Sequence, residues 1–264
     1  MNLQIIAVGN CAIFIVASQP GYSLVDEMAS DVYTKIASVL RGRCAFIVHE
    51  RIFGSLSSER EIMISRKLAL KKFDIPSEGP VTYIEGAPPS GPGFAGVIIR
   101  AIVPQNIDDV WTIMDDSIPC GCGWRRNGVT FLQLQNIQAI SHPSIHHHPT
   151  SPIKGQESDN FPPATKAWAV IANADRILRA QGASYRDVVR TWFYLSDILD
   201  WYADFNHVRN IKYREFGIMP VPGAERILLP ASTGVGARNT QRSALTMDLF
   251  AVAGPAEIRP IVRR

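Results

Sequence analysis

The sequence predicts an α+β protein of two tandem modules, each a mixed sheet with two helices packed on one face. Three observations carry this. The order strand, helix, strand, helix, strand, strand can be read twice along the chain. The 264 residues are enough for two domains of ordinary size, and 46% apolar with 19% charged residues is a globular composition. Short blocks of the second half answer blocks of the first at matching places in that order.

In the first copy, "AIFIVAS" reads as a short buried strand. "LVDEMASDVYTKIASVL" repeats apolar residues at spacings of three and four, which predicts an amphipathic helix. "CAFIVHERIF" follows as a strand. "SSEREIMISRKLAL" reads as a second helix, with Ser57 and Ser58 ahead of Glu61 as a capping box. "VTYIEGA" and "GVIIRAIV" supply two more strands around a Gly/Pro-rich turn.

In the second copy, "VTFLQLQNIQAI" is a strand and "ATKAWAVIANADRILRAQG" a helix closed by Gly182. "DVVRTWFYLSDI" is a strand and "WYADFNHVRNIKYREFG" a helix closed by Gly217. "RILLPASTGVGA" and "ALTMDLFAVAG" are the terminal strands. "FIVHERIF" answers "DVVRTWFY", and "EGAPPSGPG" answers "LPASTGVGA". The expected division is a diverged module over 1–104 and a second module over 105–264, with a long Pro/His-rich loop at 141–163.

A net charge of +3 comes from 27 basic and 24 acidic side chains scattered along the sequence, so no basic stripe exists to follow a phosphate backbone. Nucleic acid is not an expected partner, and ribonuclease activity is disfavoured on the same ground. The apolar run "IIAVGNCAIFIVASQPG" is interrupted, falls short of the roughly 20 residues a membrane helix needs, and reads as strand. The expectation is a cytoplasmic protein without a membrane partner.

Cys11, Cys44, Cys120 and Cys122 are too few and too irregular for a disulfide framework. The Cys-x-Cys of "CGCGW" has no second pair to complete a tetrahedral site, so reduced loop thiols are expected. His142, His146, His147 and His148 lie in the loop without a carboxylate at helical spacing. A solvated loop is favoured over a metal site, and neither metal nor cofactor is expected.

The chemistry concentrates in "RTWFYLSDILDWYADFNHVR". On a strand, Arg190, Trp192 and Tyr194 share one face while Thr191, Phe193 and Leu195 share the other. An arginine buried beside aromatics needs an anion, which points to a ligand cleft; otherwise it reaches the surface or pairs with Asp187 or Asp197. On the following helix, Tyr202, Phe205 and Arg209 recur at spacings of three and four, and Tyr213 continues the stripe. Either the stripe lines a pocket or it packs on the sheet with its arginine at the rim. In "PASTGVGA", Ser232, Thr233 and Gly234 form either a tight turn or a place where backbone N–H groups approach a ligand. His49 and Glu50 of "VHER" cannot face the same side of a strand, and His207 lies off the stripe, so none of these is placed in the site.

The succession of strand, long helix, "VVRTWFYLSDI", helix, Pro-Ala-started segment and "MDLFAVA" resembles the RidA (YjgF) superfamily. More narrowly, "RTWFY", "YADFNHVR" and "LPASTGVGA" resemble three consecutive blocks of its chorismatase branch. The resemblance covers chiefly residues 110–254. It implies the chorismate-mutase-like fold, modules associating as homo-oligomers with ligand clefts between them, and a small carboxylate as partner. It also implies that Tyr202 and Arg209 contact the substrate, the arginine taking a carboxylate.

Two departures matter. RidA imine deaminases carry an arginine just after the Pro-Ala, where this sequence has Ser232. Chorismatases continue past the block matching "DLFAVAG" into a further domain that supplies a general acid, and the expectation here is a chain lacking that domain. The expected binding set is therefore Arg190, Trp192, Tyr194, Tyr202, Arg209, Ser232, Thr233 and Gly234, with no catalytic acid assigned. Asp197 and Asp200 are the nearest carboxylates in sequence. Three readings stay open: hydrolysis of a chorismate-type enol ether, deamination of an imine or enamine, and non-catalytic metabolite binding or assembly.

Overall fold

The computed structural model describes residues 2–9, 11–18, 24–88, 93–139, 162–219 and 228–255. The chain divides into two compact units, Met1–Asn136 and Ile137–Arg264. Each holds an α+β module in which two helices cover one face of a mixed sheet.

The first module contains β1 (Asn2–Val8), β2 (Ala12–Ser18), α1 (Val25–Gly42), β3 (Phe46–Gly54), α2 (Glu59–Lys72), β4 (Thr82–Glu85) and β5 (Phe94–Ile102). The strand order is β1-β2-β5-β3-β4, with β3 and β4 parallel and the other pairs antiparallel. Helix α1 buries Met28, Ala29, Val32, Tyr33, Ile36, Ala37 and Leu40, the single stripe its sequence spacing predicts. These side chains meet Ile52, Val97 and Ile99 from the sheet and Ile62 and Leu70 from α2. Each fully buried Ile or Leu there contributes about 1.5–3 kcal/mol relative to exposure.

Several elements differ from the sequence reading. The apolar N-terminal run forms a hairpin of two strands, and β1 is exposed along nearly its whole length. Residues 104–127, to which the sequence reading assigns no element, contain β6 (Val110–Asp115) and β7 (Ile118–Arg126). With β8 (Val129–Ile137) these make an antiparallel meander. Their pattern was unreadable because β7 carries Gly121 and Gly123 where an alternating side chain would stand. A Cβ on Gly121 would lie 2.4 Å from the Gln133 carbonyl oxygen, and one on Gly123 would meet the Trp111 ring. The capping box at α2 is absent: Ser58 is the N-cap residue and makes no side-chain capping bond. Ser58 is in the αR conformation there, because a short 3-10 turn at residues 56–58 leads straight into the helix.

The second module contains α3 (Pro163–Ala180), β9 (Val188–Leu195), α4 (Ile198–Glu215), β10 (Ala231–Gly236) and β11 (Leu245–Ala253). Strand β9 lies between β10, to which it is parallel, and β11, to which it is antiparallel. Gly182 and Gly217 end the two helices at φ +74 and +67, as their sequence positions predict. The cluster His142, His146, His147 and His148 lies outside the described residues.

Candidate functional site

Register across β9 and β10 decides where the expected site residues go. Ser232 lies opposite Thr191, Thr233 opposite Trp192 and Gly234 opposite Phe193. In-register neighbours point to the same side of a sheet. Arg190, Trp192, Tyr194 and Thr233 therefore share one face, and Thr191, Phe193, Leu195 and Ser232 the other. Phe193 meets Phe205 of α4 edge-on at 4.9 Å between centroids, so the second set faces the helices. The segment "STGVG" is an edge strand, not a tight turn, and neither Gly234 nor Gly236 has positive φ.

On the helix side, Tyr202, Phe205, Arg209 and Tyr213 form the stripe their spacing predicts. The stripe begins just after Trp201, whose φ of −144 breaks the helix and whose indole N–H donates to the Ser196 carbonyl at 2.8 Å. Tyr202 stacks on Phe205 with centroids 6.1 Å apart and remains 43% exposed. Its Cε2 is 3.5 Å from where a Gly234 Cβ would stand. The Arg209 guanidinium lies over the rings of Phe205 and Tyr213 at 5.6 and 5.8 Å. Tyr213 in turn lies 5.6 Å from Tyr185.

This cluster is short of partners. The Nε of Arg209 is buried with no hydrogen-bond partner among the described residues, and the buried hydroxyls of Tyr185, Thr191 and Tyr213 have only one another and Ser232 within reach, with no well-formed bond among them. Burial pushes the Tyr213 phenol up, while the neighbouring Tyr185, Arg209, Thr191 and Ser232 draw it back. Burial likewise holds Tyr185 well above the ordinary phenol range. Both phenols are thus neutral donors at physiological pH. An unpaired buried polar group costs about 1–3 kcal/mol, which marks the Arg209 Nε as the donor here with the most to gain from an acceptor.

The opposite face satisfies itself. Arg190 donates through Nη2 to Thr233 Oγ1 at 2.6 Å and lies over the Trp192 ring at 5.2 Å. Tyr194 donates to the buried Asp248 carboxylate at 3.3 Å. The alternative partners expected for Arg190 are engaged elsewhere. Asp187 caps the short turn before β9, accepting from the Ser184 N–H at 2.8 Å, and Asp197 faces the exposed Arg238 at 3.7 Å.

The eight expected residues therefore form two groups, Tyr202, Arg209, Ser232 and Gly234 on the helix side and Arg190, Trp192, Tyr194 and Thr233 on the other. Asp197 and Asp200 are both exposed, which removes the burial a general acid would need. Asp175, beside Tyr185, accepts from the Tyr185 N–H at 2.9 Å and from Arg179 at 2.6 Å. Cys120 and Cys122 lie on β7 and not in a loop, both as free thiols. No group of three or more His, Cys, Asp or Glu among the described residues is placed to hold a metal.

Tyr185 and Thr191 are outside the binding set the sequence predicts. Thr191 was readable as a helix-side residue from strand alternation alone. Tyr185 carried no signal, although its neighbours Ser184 and Asp187 form the capping box that fixes it.

No protein-family model matches the sequence, and no curated protein is similar to it at the sequence level. The fold resembles that of a chorismatase. A chorismatase crystal structure superposes with a TM-score of 0.62 at 13% identity, covering 96% of this chain and 77% of that one. E. coli TdcF with bound serine aligns at 19% identity over 50% of this chain and 86% of that one, with a TM-score of 0.36. Yeast Mmf1 aligns at 21% identity over 55% and 93%, with a TM-score of 0.35. At these identities the likeness is one of fold. No helix among the described residues is long and apolar enough to cross a membrane.

Proposed function

We propose that the second module binds a small carboxylate metabolite on the helix side of the β9–β10 edge. Arg209 supplies the charge, Tyr213 and Ser232 supply hydroxyl contacts, and the half-exposed ring of Tyr202 lies against the rest of the ligand. The observation that carries this reading is the buried Arg209 Nε without an acceptor, beside the Tyr185, Thr191 and Tyr213 hydroxyls, which have only one another and Ser232 within reach. A carboxylate is acceptor-only and satisfies such donors, and charge-assisted contacts to a guanidinium are the stronger class. The chorismatase resemblance suggests a chorismate-type enol ether as the ligand, hydrolysed by water after protonation.

A second reading, binding without turnover, is favoured by the acids. Asp197 and Asp200 are solvated, and Asp175 is already bonded twice. Incubation with chorismate and with 2-aminoacrylate, followed by product analysis and calorimetry, separates the two readings. Turnover of chorismate supports the enzyme, and turnover of 2-aminoacrylate alone points to deamination instead. A carboxylate that binds and survives supports the binding protein. In either case Arg209→Ala is expected to weaken binding at least tenfold, and unchanged affinity removes Arg209 from the site.

A further inference from the structure

The two modules carry the same backbone landmarks, and these align the site in one with a buried ion pair in the other. In the first module the Gly86 N–H donates to the Gly54 carbonyl, the Ser55 N–H to Gly93 and the Ile75 N–H to Leu70. In the second, Ala237 donates to Leu195, Ser196 to Ala244 and Ile218 to Tyr213. The residue before Ile75 is Asp74 at φ 54, and the one before Ile218 is Gly217 at φ 67. Gly54 thus corresponds to Leu195, and Leu70 to Tyr213. Counting back four residues from each landmark, Glu50 corresponds to Thr191 and Arg66 to Arg209.

In the first module this place is full. Arg66 donates from Nε to Glu50 Oε1 at 2.9 Å, from Nη2 to Oε2 at 2.7 Å and from Nη1 to the Ser77 carbonyl at 2.7 Å. The Tyr33 phenol is the carboxylate's third donor, to Oε1 at 2.7 Å, and all three side chains are buried. In the second module the arginine remains and the carboxylate is gone. Thr191 stands in the place of Glu50, its hydroxyl with no well-formed bond and only the neighbouring Tyr213 hydroxyl within reach, and Arg209 Nε has no acceptor. A phenol is kept from a different position: α1 and α3 end alike, with the Ala45 and Ala183 N–H donating to Leu40 and Leu178. By that count Tyr33 corresponds to Ile171, and Tyr213 brings the hydroxyl from α4.

We propose that the first module's copy of the anion seat is filled by the chain's own Glu50, so that carboxylate ligands are taken up by the second module alone. The ligand's carboxylate there lies side-on over Arg209, as Glu50 lies over Arg66, with Tyr213 in the donor role of Tyr33. This second half rests on the carboxylate reading above; the sealing of the first module does not.

The test is Glu50→Ala in the full chain, followed by thermal melting in sodium acetate and in sodium chloride at equal ionic strength. The expected result is a lowered first-unit transition that acetate, and not chloride, raises saturably, with Arg66→Ala showing no acetate response. If Glu50→Ala fails to fold in chloride, soluble yield on refolding in acetate replaces the melt. No difference between acetate and chloride in either measurement overturns the proposal. So does calorimetry of the wild-type chain with chorismate or pyruvate giving two sites instead of one. Acetate rescue in a chain whose wild type binds no carboxylate keeps the sealed seat and removes the second-module reading. For the ligand pose, Tyr213→Phe is expected to weaken carboxylate binding about tenfold with the arginine still required, and equal affinity removes Tyr213 as a donor.

Discussion

Arg190 and Thr233 are joined by a 2.6 Å hydrogen bond across the parallel β9–β10 pair, on the face of the sheet opposite Ser232. An arginine that looks in sequence like a second positive charge for a ligand thus has a neighbour of its own. The two arginines of the opening motif and the following helix are separated by the thickness of a sheet.

Arg190→Ala and Arg209→Ala are therefore expected to differ in kind. Arg190→Ala with Thr233→Val should show a coupling of about 1 kcal/mol in a double-mutant cycle followed by chemical denaturation. Carboxylate affinity in either single variant should stay within threefold of wild type. A tenfold loss of affinity in Arg190→Ala would return that residue to the binding set.

Thr191 carries a buried hydroxyl that makes no well-formed bond, with the Tyr213 hydroxyl its neighbour. Thr191→Val removes the hydroxyl at nearly constant shape, so the ligand-free protein should gain about 1 kcal/mol in denaturant unfolding. If the hydroxyl belongs to the ligand seat, affinity should fall in the same variant. A destabilised variant would mean that Thr191 already has a bond to lose.

Removing one partner of the buried Glu50–Arg66 pair leaves the other charge uncompensated, which typically costs about 3–5 kcal/mol. Arg66→Met and Glu50→Ala should each show a loss of that size by denaturant titration. A double replacement by apolar residues of similar volume should recover much of it. If both single variants unfold like wild type, the pair is not held as described.

Cys122 is pushed up to about 12 by burial, against an ordinary thiol value of about 8.5. The folded state then holds a proton that the unfolded state releases above about pH 8.5. Stability contributed by the neutral thiol is complete below that pH and falls as pH rises towards 12, by at most about 1.4 kcal/mol per unit. Unfolding free energies measured across this window should fall less steeply for Cys122→Ala than for wild type. Equal slopes would show the thiol to be solvated.

A Cβ at Gly234 would meet only ordinary contacts, the shortest 3.5 Å to Tyr202. Gly234→Ala should therefore fold with stability within about 1 kcal/mol of wild type, since a strand glycine has no packing to lose. Loss of ligand affinity in this stable variant would show close approach of the ligand to the strand, and unchanged affinity would leave Gly234 a spectator.

Local pattern determined most of the fold. The apolar stripes of α1 and α3, the glycines that end α3 and α4, and the alternation of β9 all follow from neighbours within a few residues, where the periods of helix and strand act directly. Strands β6 and β7 escaped because their regularity depends on what Gly121 and Gly123 admit from elsewhere in the fold, Leu134 and Trp111 among them. Of the residues in the proposed site, Tyr202, Arg209, Tyr213 and Ser232 are nameable from sequence and Tyr185 is not, and the grouping of the named ones is not legible there. Alternation sorts residues within β9, but it is silent on whether Ser232 or Thr233 lies beside Thr191. That is set by the parallel register of β10, where a shift of one residue exchanges the two faces. The equivalence of Glu50 with Thr191 likewise needed the hydrogen bonds that align the modules, because the repeated answer to β10 is β4 and not the proline-rich segment that resembles it in letters. Sequence determined which polar and aromatic side chains β9, α4 and β10 carry; only the pairing of strands decided which of them meet.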